Sequence, residues 1–174
     1  MSTTSFIAPD DAHNRALVER THPKDWPVHA GEDRYDMVII GGGPAGLVTA
    51  MGANGVGARV AIIEKGLLGG DCLISGCVPS KALLKSAKVA RSARKAASFG
   101  VHTGEVEVDF PAVMERMRSL RADISHHDAA ERFQKEGIDV FLGRGTFVGQ
   151  DAIEVNGRRL TFKRAVIATG AHAR

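Results

Sequence analysis

Cysteine is scarce in this chain, with two in 174 residues. That scarcity excludes the bridge-dense framework of a small secreted scaffold. It also argues against a structural zinc site, which would need two more soft ligands where no other cysteine exists. Charge of one sign is lacking too. Lys and Arg number 23 against 20 Asp and Glu, a formal net charge of +3, too weak a bias to argue for a nucleic-acid partner. No internal repeat or low-complexity tract is present. Residues 1–30 lack the positive n-region and apolar h-region of a secretory signal. The run Met37 to Ala58 carries no charge and is long enough to span a bilayer, yet seven glycines and a proline would make it a poor lipid-facing helix. The expectation is a soluble, cytoplasmic chain with no membrane partner.

What is present suits one globular domain with a real core, at 44% hydrophobic and 25% charged residues. Residues 1–34 read as a polar leader, extended or partly helical, with Trp26 anchoring it on the domain surface. Its histidines at 13, 22 and 29 are too irregularly spaced for a ligand set and read as solvated. Tyr35 to Ile40 is an apolar run of strand length, as a strand buried on both faces of a parallel sheet requires. Gly41 to Gly46 forms a turn, Leu47 to Asn54 a helix ended by Gly55-Val56-Gly57, and Arg59 to Glu64 a second buried strand. Together they make a βαβ unit. Ser80 to Ser98, free of glycine and proline, predicts a helix. Its six basic residues read as a solvated face, and its alanines as a surface packed on another helix. Asp109 is placed to cap a second helix from Pro111 to Glu136. From Ile138 the pattern changes to short strands at 139–142, 145–148, 152–155 and 159–162, with Asn156-Gly157 as a hairpin turn. Arg164 to Gly170 returns as a buried strand ending in a glycine turn. The fold class is therefore α/β, Rossmann-like, with a parallel sheet, helices and a small antiparallel meander near the C-terminus.

Two motifs carry chemistry. Gly41, Gly43 and Gly46 fit G-x-G-x-x-G between a strand and a helix, the arrangement that lets a pyrophosphate approach backbone amides at a helix N-terminus. Glu64 ends the next strand eighteen residues after Gly46, where an acid accepts hydrogen bonds from ribose hydroxyls. The second motif is Gly69-Gly70-Asp71-Cys72-Leu73-Ile74-Ser75-Gly76-Cys77-Val78-Pro79-Ser80-Lys81. Five residues advance an ideal helix by about 500°, so a bridge between Cys72 and Cys77 requires an irregular turn. Gly76 supplies that freedom, and Pro79 suits the helix start that follows. A thiol near a helix N-terminus is expected to have a depressed pKa. A purely structural disulfide is disfavoured, because so short a loop removes little unfolded-state entropy.

The cysteine motif resembles the active-site signature of class I pyridine nucleotide-disulfide oxidoreductases, and its Asp71 and Val78-Pro79-Ser80-Lys81 ending resembles the mercuric-reductase-like branch. The resemblance runs from Tyr35 onward and implies an FAD-binding domain over residues 35–174. It implies that Gly41, Gly43 and Gly46 hold the FAD pyrophosphate and Glu64 the adenosine ribose. Lys65, Gly66, Gly70 and Asp71 would line the cofactor, Gly145 would meet the adenine, and Thr169 and Gly170 would turn beside FAD. Cys77 is implied as the flavin-proximal sulfur, Cys72 as the thiol that attacks substrate, and Lys81 as a group tuning the flavin. NAD(P)H is the family's co-substrate, the substrate is a small molecule, disulfide or metal ion, and the full-length family is homodimeric. Ile74 departs from the family's usual asparagine. A second G-x-G-x-x-G, a second acidic FAD segment and an interface domain are not found. The expectation is thus the FAD- and disulfide-bearing part of such an enzyme, inactive by itself. The alternative is a non-catalytic nucleotide-binding module with idle or structural cysteines. Other flavoprotein classes share the fingerprint but have no use for C-x-x-x-x-C.

Overall fold

The computed structural model describes residues 7–27 and 34–171; His29 lies outside them. Among the described residues one sheet has six strands in the order β3-β2-β1-β6-β5-β4. Strands β1 (Arg34–Ile40), β2 (Val60–Glu64), β3 (Asp139–Leu142) and β6 (Arg158–Ile167) run parallel, while β4 (Thr146–Phe147) and β5 (Ala152–Val155) pair antiparallel. This is the α/β arrangement with a terminal meander that the sequence predicts.

Alternation in β2 sorts the core into two faces. Val60 and Ile62 join Ile39, Leu47 and Ala50 of helix α2 (Pro44–Gly55) and Phe133 of helix α6 (Ala130–Lys135). Ala61 and Ile63 join Val38, Phe141 and the meander's Ile153, Val155 and Leu160. At the start of β1 Asp36 and Met37 both donate to the Arg59 carbonyl, and Tyr35 lies in the same apolar cluster as Val38. The Tyr35 hydroxyl donates to Asp139 Oδ2 at 2.6 Å.

Three boundaries differ from the sequence reading. Helix α2 begins at Pro44, because the turn closes early and proline suits a first helical turn. The helix expected from Pro111 to Glu136 is broken: α5 (Phe110–Ile124), capped by Asp109 Oδ1 on the Ala112 amide at 3.0 Å, gives way to a 3₁₀ turn at Ser125–Asp128 and then α6. Buried Ser125 explains the break, since its hydroxyl donates to the Ala122 carbonyl and accepts from Arg20 Nη1. The runs at 159–162 and 164–170 join in one strand, β6, which ends at Ile167 and whose last part is half-buried or exposed rather than buried. Its early part pairs with β5, and from Thr161 onward it pairs with β1, so the exposed Lys163 and Arg164 do not interrupt it. The Asn156-Gly157 hairpin has the positive φ values of 51° and 75° that a type I′ turn requires.

The segment read as a leader contributes α1 (Ala12–Thr21), capped by Asp11. Leu17 and Thr21 are fully buried, and Leu17 shares a third apolar cluster with Leu67, Leu73 and Ala122. Trp26 is half-buried against the first face, and its Nε1 donates to the Val140 carbonyl at 2.8 Å. Leu17→Ala removes a wholly buried side chain and is expected to cost about 3 kcal/mol in urea unfolding. A change below about 0.5 kcal/mol would mean that α1 is not docked in solution.

Candidate functional site

The site forms where the chain order reverses beside β1, which pairs in parallel with both β2 and β6. Crevices outside the carboxyl ends of strands at such a switch point are where open α/β sheets take ligands. A cleft of about 600 Å³ opens there, within the range of small-molecule sites. Of the residues expected at the site, Gly41, Gly43, Glu64, Lys65, Gly66, Gly70, Asp71, Cys72, Gly145, Thr169 and Gly170 line it, and Gly46, Cys77 and Lys81 do not.

The glycines differ in what requires them. Gly41 has φ +110°, and a Cβ there would lie 2.1 Å from the Ala168 carbonyl oxygen; one on Gly46 would lie 1.8 Å from the Gly41 oxygen. These two are fixed by packing of the protein on itself. Gly43 has an ordinary φ of −77°, and the nearest atom to a Cβ there is Gly70 Cα, 3.9 Å away. Neither strain nor crowding requires glycine at 43, only bare backbone facing the cleft. It is the N-cap of α2, whose free amides and dipole favour an anion. Gly145 fits between Ile63 and Ile153, and a Cβ there would lie 3.3–3.4 Å from both side chains.

Glu64 does more than face the cleft. Its Oε2 accepts from the Gly42 amide at 2.6 Å and its Oε1 from the Gly66 amide at 2.5 Å. Ionised carboxylates make stronger hydrogen bonds than neutral acceptors, and each oxygen keeps further acceptor capacity for a ligand. Gly69 N also donates to the Gly42 carbonyl at 2.8 Å, so the first glycine turn and the start of the cysteine motif are held together. His22, expected to be solvated, instead donates from Nδ1 to the Gly66 carbonyl at 2.5 Å.

The cysteine motif folds as two helices with a break between them. Cys72 lies in short helix α3 (Gly70–Ile74), Gly76 is the N-cap of α4 (Cys77–Lys95), and Cys77 is that helix's first residue. A Cβ on Gly76 would sit 2.9 Å from the Asp71 carbonyl oxygen, so the break is tight as well as irregular. Both cysteines are free thiols, Cys72 half-buried and Cys77 exposed. The Cys72 pKa is raised, contrary to the depressed value expected near a helix start. Its hydrogen bond to the Cys77 side chain is the main cause, with burial second. The Cys77 amide and the Lys81 charge pull the other way. Lys81 therefore acts on the sulfur electrostatically although it does not line the cleft. Ile74 and Arg144 line the cleft. Arg144 was not among the sequence candidates; its signal is its place between two glycines just past the carboxyl end of β3.

Residues 35–174 match the Pyridine nucleotide-disulphide oxidoreductase family. The chain belongs to this family. It is 41% identical over 140 residues to a dihydrolipoyl dehydrogenase of Acholeplasma laidlawii, covering 80% of this chain and 41% of that protein. It is 36% identical over 141 residues to a mercuric reductase of Bacillus cereus, covering 81% of this chain and 22% of that protein. A dihydrolipoyl dehydrogenase of Bacillus subtilis (strain 168) is 41% identical over 157 residues, covering 80% of this chain and 32% of that protein. The chain thus spans less than half the length of these relatives. Among the described residues, no helix is long and apolar enough to cross a membrane.

Two measurements follow from the local electrostatics. Cys77→Ala removes the main cause of the raised Cys72 pKa, so alkylation of Cys72 followed against pH is expected to titrate at lower pH than in wild type. An unmoved or higher titration would mean that Cys77 does not raise the Cys72 pKa. Asp128 abuts Gly69, where a Cβ would lie 2.8 Å from its Oδ2. Burial raises its pKa against smaller pulls from His127 and Arg132. A raised carboxyl pKa supports the fold below the unfolded value near 3.8, and that support is lost as pH rises through the folded value. Asp128→Asn is therefore expected to be more stable than wild type in urea at about pH 7, with the gain shrinking below about pH 4.

Proposed function

We propose that this chain is the FAD-binding, redox-disulfide part of an NAD(P)H-dependent disulfide or metal-ion reductase. The observation that carries the reading is one cleft lined both by the glycine turn and by Cys72. The fit to FAD rests on Gly43, a glycine that the protein's own packing does not require. Gly41, Gly43 and the α2 N-terminus would hold the pyrophosphate, with Gly46 letting α2 sit close beneath it. Glu64 would accept from the ribose, and Lys65, Gly66, Gly70 and Asp71 would line the nucleotide. Gly145 would face the adenine, and Thr169 and Gly170 would flank the cofactor near β6. Bound FAD would supply the two-electron couple linking a reduced nicotinamide to the sulfur pair. Cys72 and Cys77 would cycle between disulfide and dithiol, taking up two electrons and two protons per cycle. Cys77 is assigned the flavin side of the pair and Cys72 the exchange with substrate. Lys81 would favour the Cys72 thiolate, consistent with its downward pull on that pKa. The relatives' names support a substrate that is either a dithiol–disulfide couple or a metal ion. A homodimer of the longer protein belongs to the same proposal.

The exposure of Cys77 outside the cleft lining favours a second reading, a nucleotide-binding module with idle cysteines. Titration of the purified chain with FAD, followed by flavin fluorescence, tests the binding. Wild type is expected to bind. Gly43→Ala is expected to lose at least about tenfold in affinity while costing no more than about 1 kcal/mol in stability at the cap. Equal affinity for the two would remove the argument from Gly43, and a folded wild-type chain that ignores FAD would sink the flavin reading. Binding without any Cys72–Cys77 oxidation would favour the idle-cysteine module.

A further inference from the structure

Between the two cysteines, the Ile74 carbonyl is held by a residue from a distant part of the chain. Arg121 of α5 donates from Nη1 to Ile74 O at 2.6 Å. Its Nη2 donates to Asn14 Oδ1 of α1 at 2.5 Å. Arg121 and Asn14 are both buried, 6% and 1% exposed. Asn14 is itself fixed, its amide nitrogen donating to the Pro9 carbonyl at 2.7 Å and its backbone N–H to Asp11 Oδ1 at 2.8 Å. Among the described residues no carboxylate bonds the Arg121 guanidinium. Asp11 is instead paired with Arg118, Oδ2 to Nε at 2.5 Å without hydrogen-bond alignment, and Arg121 Nε has no partner among those residues.

A guanidinium buried on two neutral acceptors is a costly way to fill space, and an apolar side chain of similar size would serve packing as well or better. What the charge adds is a fixed, directional bond to a carbonyl at the end of α3, where helix carbonyls lack partners of their own. The loop's remaining backbone hydrogen bonds are local, the Ser75 and Gly76 amides both donating to the Asp71 carbonyl. Ile74 and Val78 pack on the apolar cluster of Leu17, Leu73 and Ala122. Arg121 thus adds a directional hydrogen bond from α5 to the break in the cysteine motif, beside non-directional apolar packing.

We propose that Arg121, held by Asn14, is a positioning residue that sets the dithiol–disulfide equilibrium of Cys72 and Cys77. The inference rests on the reading of these two as a redox pair. Pinning Ile74 restricts the dithiol, so one sulfur stays within reach of the other. The disulfide is already restrained by its own bond. Releasing the pin therefore gives freedom mainly to the dithiol and shifts the balance toward it.

The test equilibrates the full chain with glutathione buffers. In the reaction, the Cys72 and Cys77 thiols and one oxidised glutathione give the Cys72–Cys77 disulfide and two reduced glutathiones. Two electrons and two protons pass to glutathione. The oxidised fraction is read by mass after alkylation. Arg121→Met is expected to lower the oxidation equilibrium constant about tenfold, equivalent to about 30 mV, with circular dichroism unchanged. Arg121→Lys, which keeps a charged donor, is expected to recover most of the shift. Arg20→Ala serves as the control. Arg20 ties α1 to the Ala122 carbonyl and Ser125 without touching the cysteine loop, so its loss is expected to lower the Tm yet leave the constant within about twofold. A folded Arg121→Met within twofold of wild type, or an Arg20→Ala shift as large as that of Arg121→Met, would overturn the inference. Should Arg121→Met not fold, Asn14→Ala is expected to give a smaller shift in the same direction, and no shift would count against the proposal. A wild-type pair that never oxidises would overturn the redox-pair reading and this inference with it. A pair that oxidises but ignores position 121 would overturn the inference alone.

Discussion

Backbone packed directly on backbone at the carboxyl end of β1 is the constraint on which the site depends. Gly41 lies against the Ala168 carbonyl, Gly46 against the Gly41 oxygen, and Gly70 against Gly43, where any Cβ on Gly70 would come within 2.8 Å of the Gly43 Cα. Such approaches leave no room for side chains, so three segments far apart in sequence meet with bare amides exposed. The Glu64 carboxylate, accepting from the Gly42 and Gly66 amides, ties the first two of these segments together. The cleft is a consequence of that closeness. At the glycine turn it presents backbone and the positive end of α2, and Glu64, Lys65, Asp71 and Arg144 are the charged side chains that line it.

The same closeness brings sulfur to the nucleotide turn. The Gly69 amide on the Gly42 carbonyl fixes where the cysteine motif starts. Leu73 is buried in the third apolar cluster with Leu17 and Ala122, and Arg121 holds the carbonyl that follows it. Helix α1, far in sequence from any chemistry, is therefore part of the support for the thiol pair. Stability and redox positioning share these contacts, which is why a control such as Arg20 is needed to separate them.

Much of the architecture was legible in the residues. The βαβ unit declared itself because a buried strand, a glycine turn and a small-residue helix each leave a local pattern. Asn156-Gly157 did so because only such residues take two positive φ values in succession. The break at Ser125 was not legible: residues 112–136 hold no glycine or proline, and what stops the helix is a buried hydroxyl bonded to Arg20 of another helix. The unity of β6 was hidden by the exposed Lys163 and Arg164; Arg164 stays in the ladder opposite Met37 of β1, and Lys163 pairs with Asp36. Arg144 escaped notice because a lone arginine carries no motif.

By itself, the sequence determined which residues could bare their backbone, where the strands and turns would lie, and that its two sulfurs stand five positions apart. Those properties are local, written in side-chain size, polarity and backbone freedom. Tertiary structure alone decided that a Cβ would fit at Gly43 while none would fit at Gly41 or Gly46. It also decided that Cys72 joins the cleft while Cys77 stays at the helix end, and that an arginine 47 positions beyond Ile74 holds the loop between them. These depend on which distant segments come to share a boundary, and such contacts are set by burial of the whole core rather than by any short stretch.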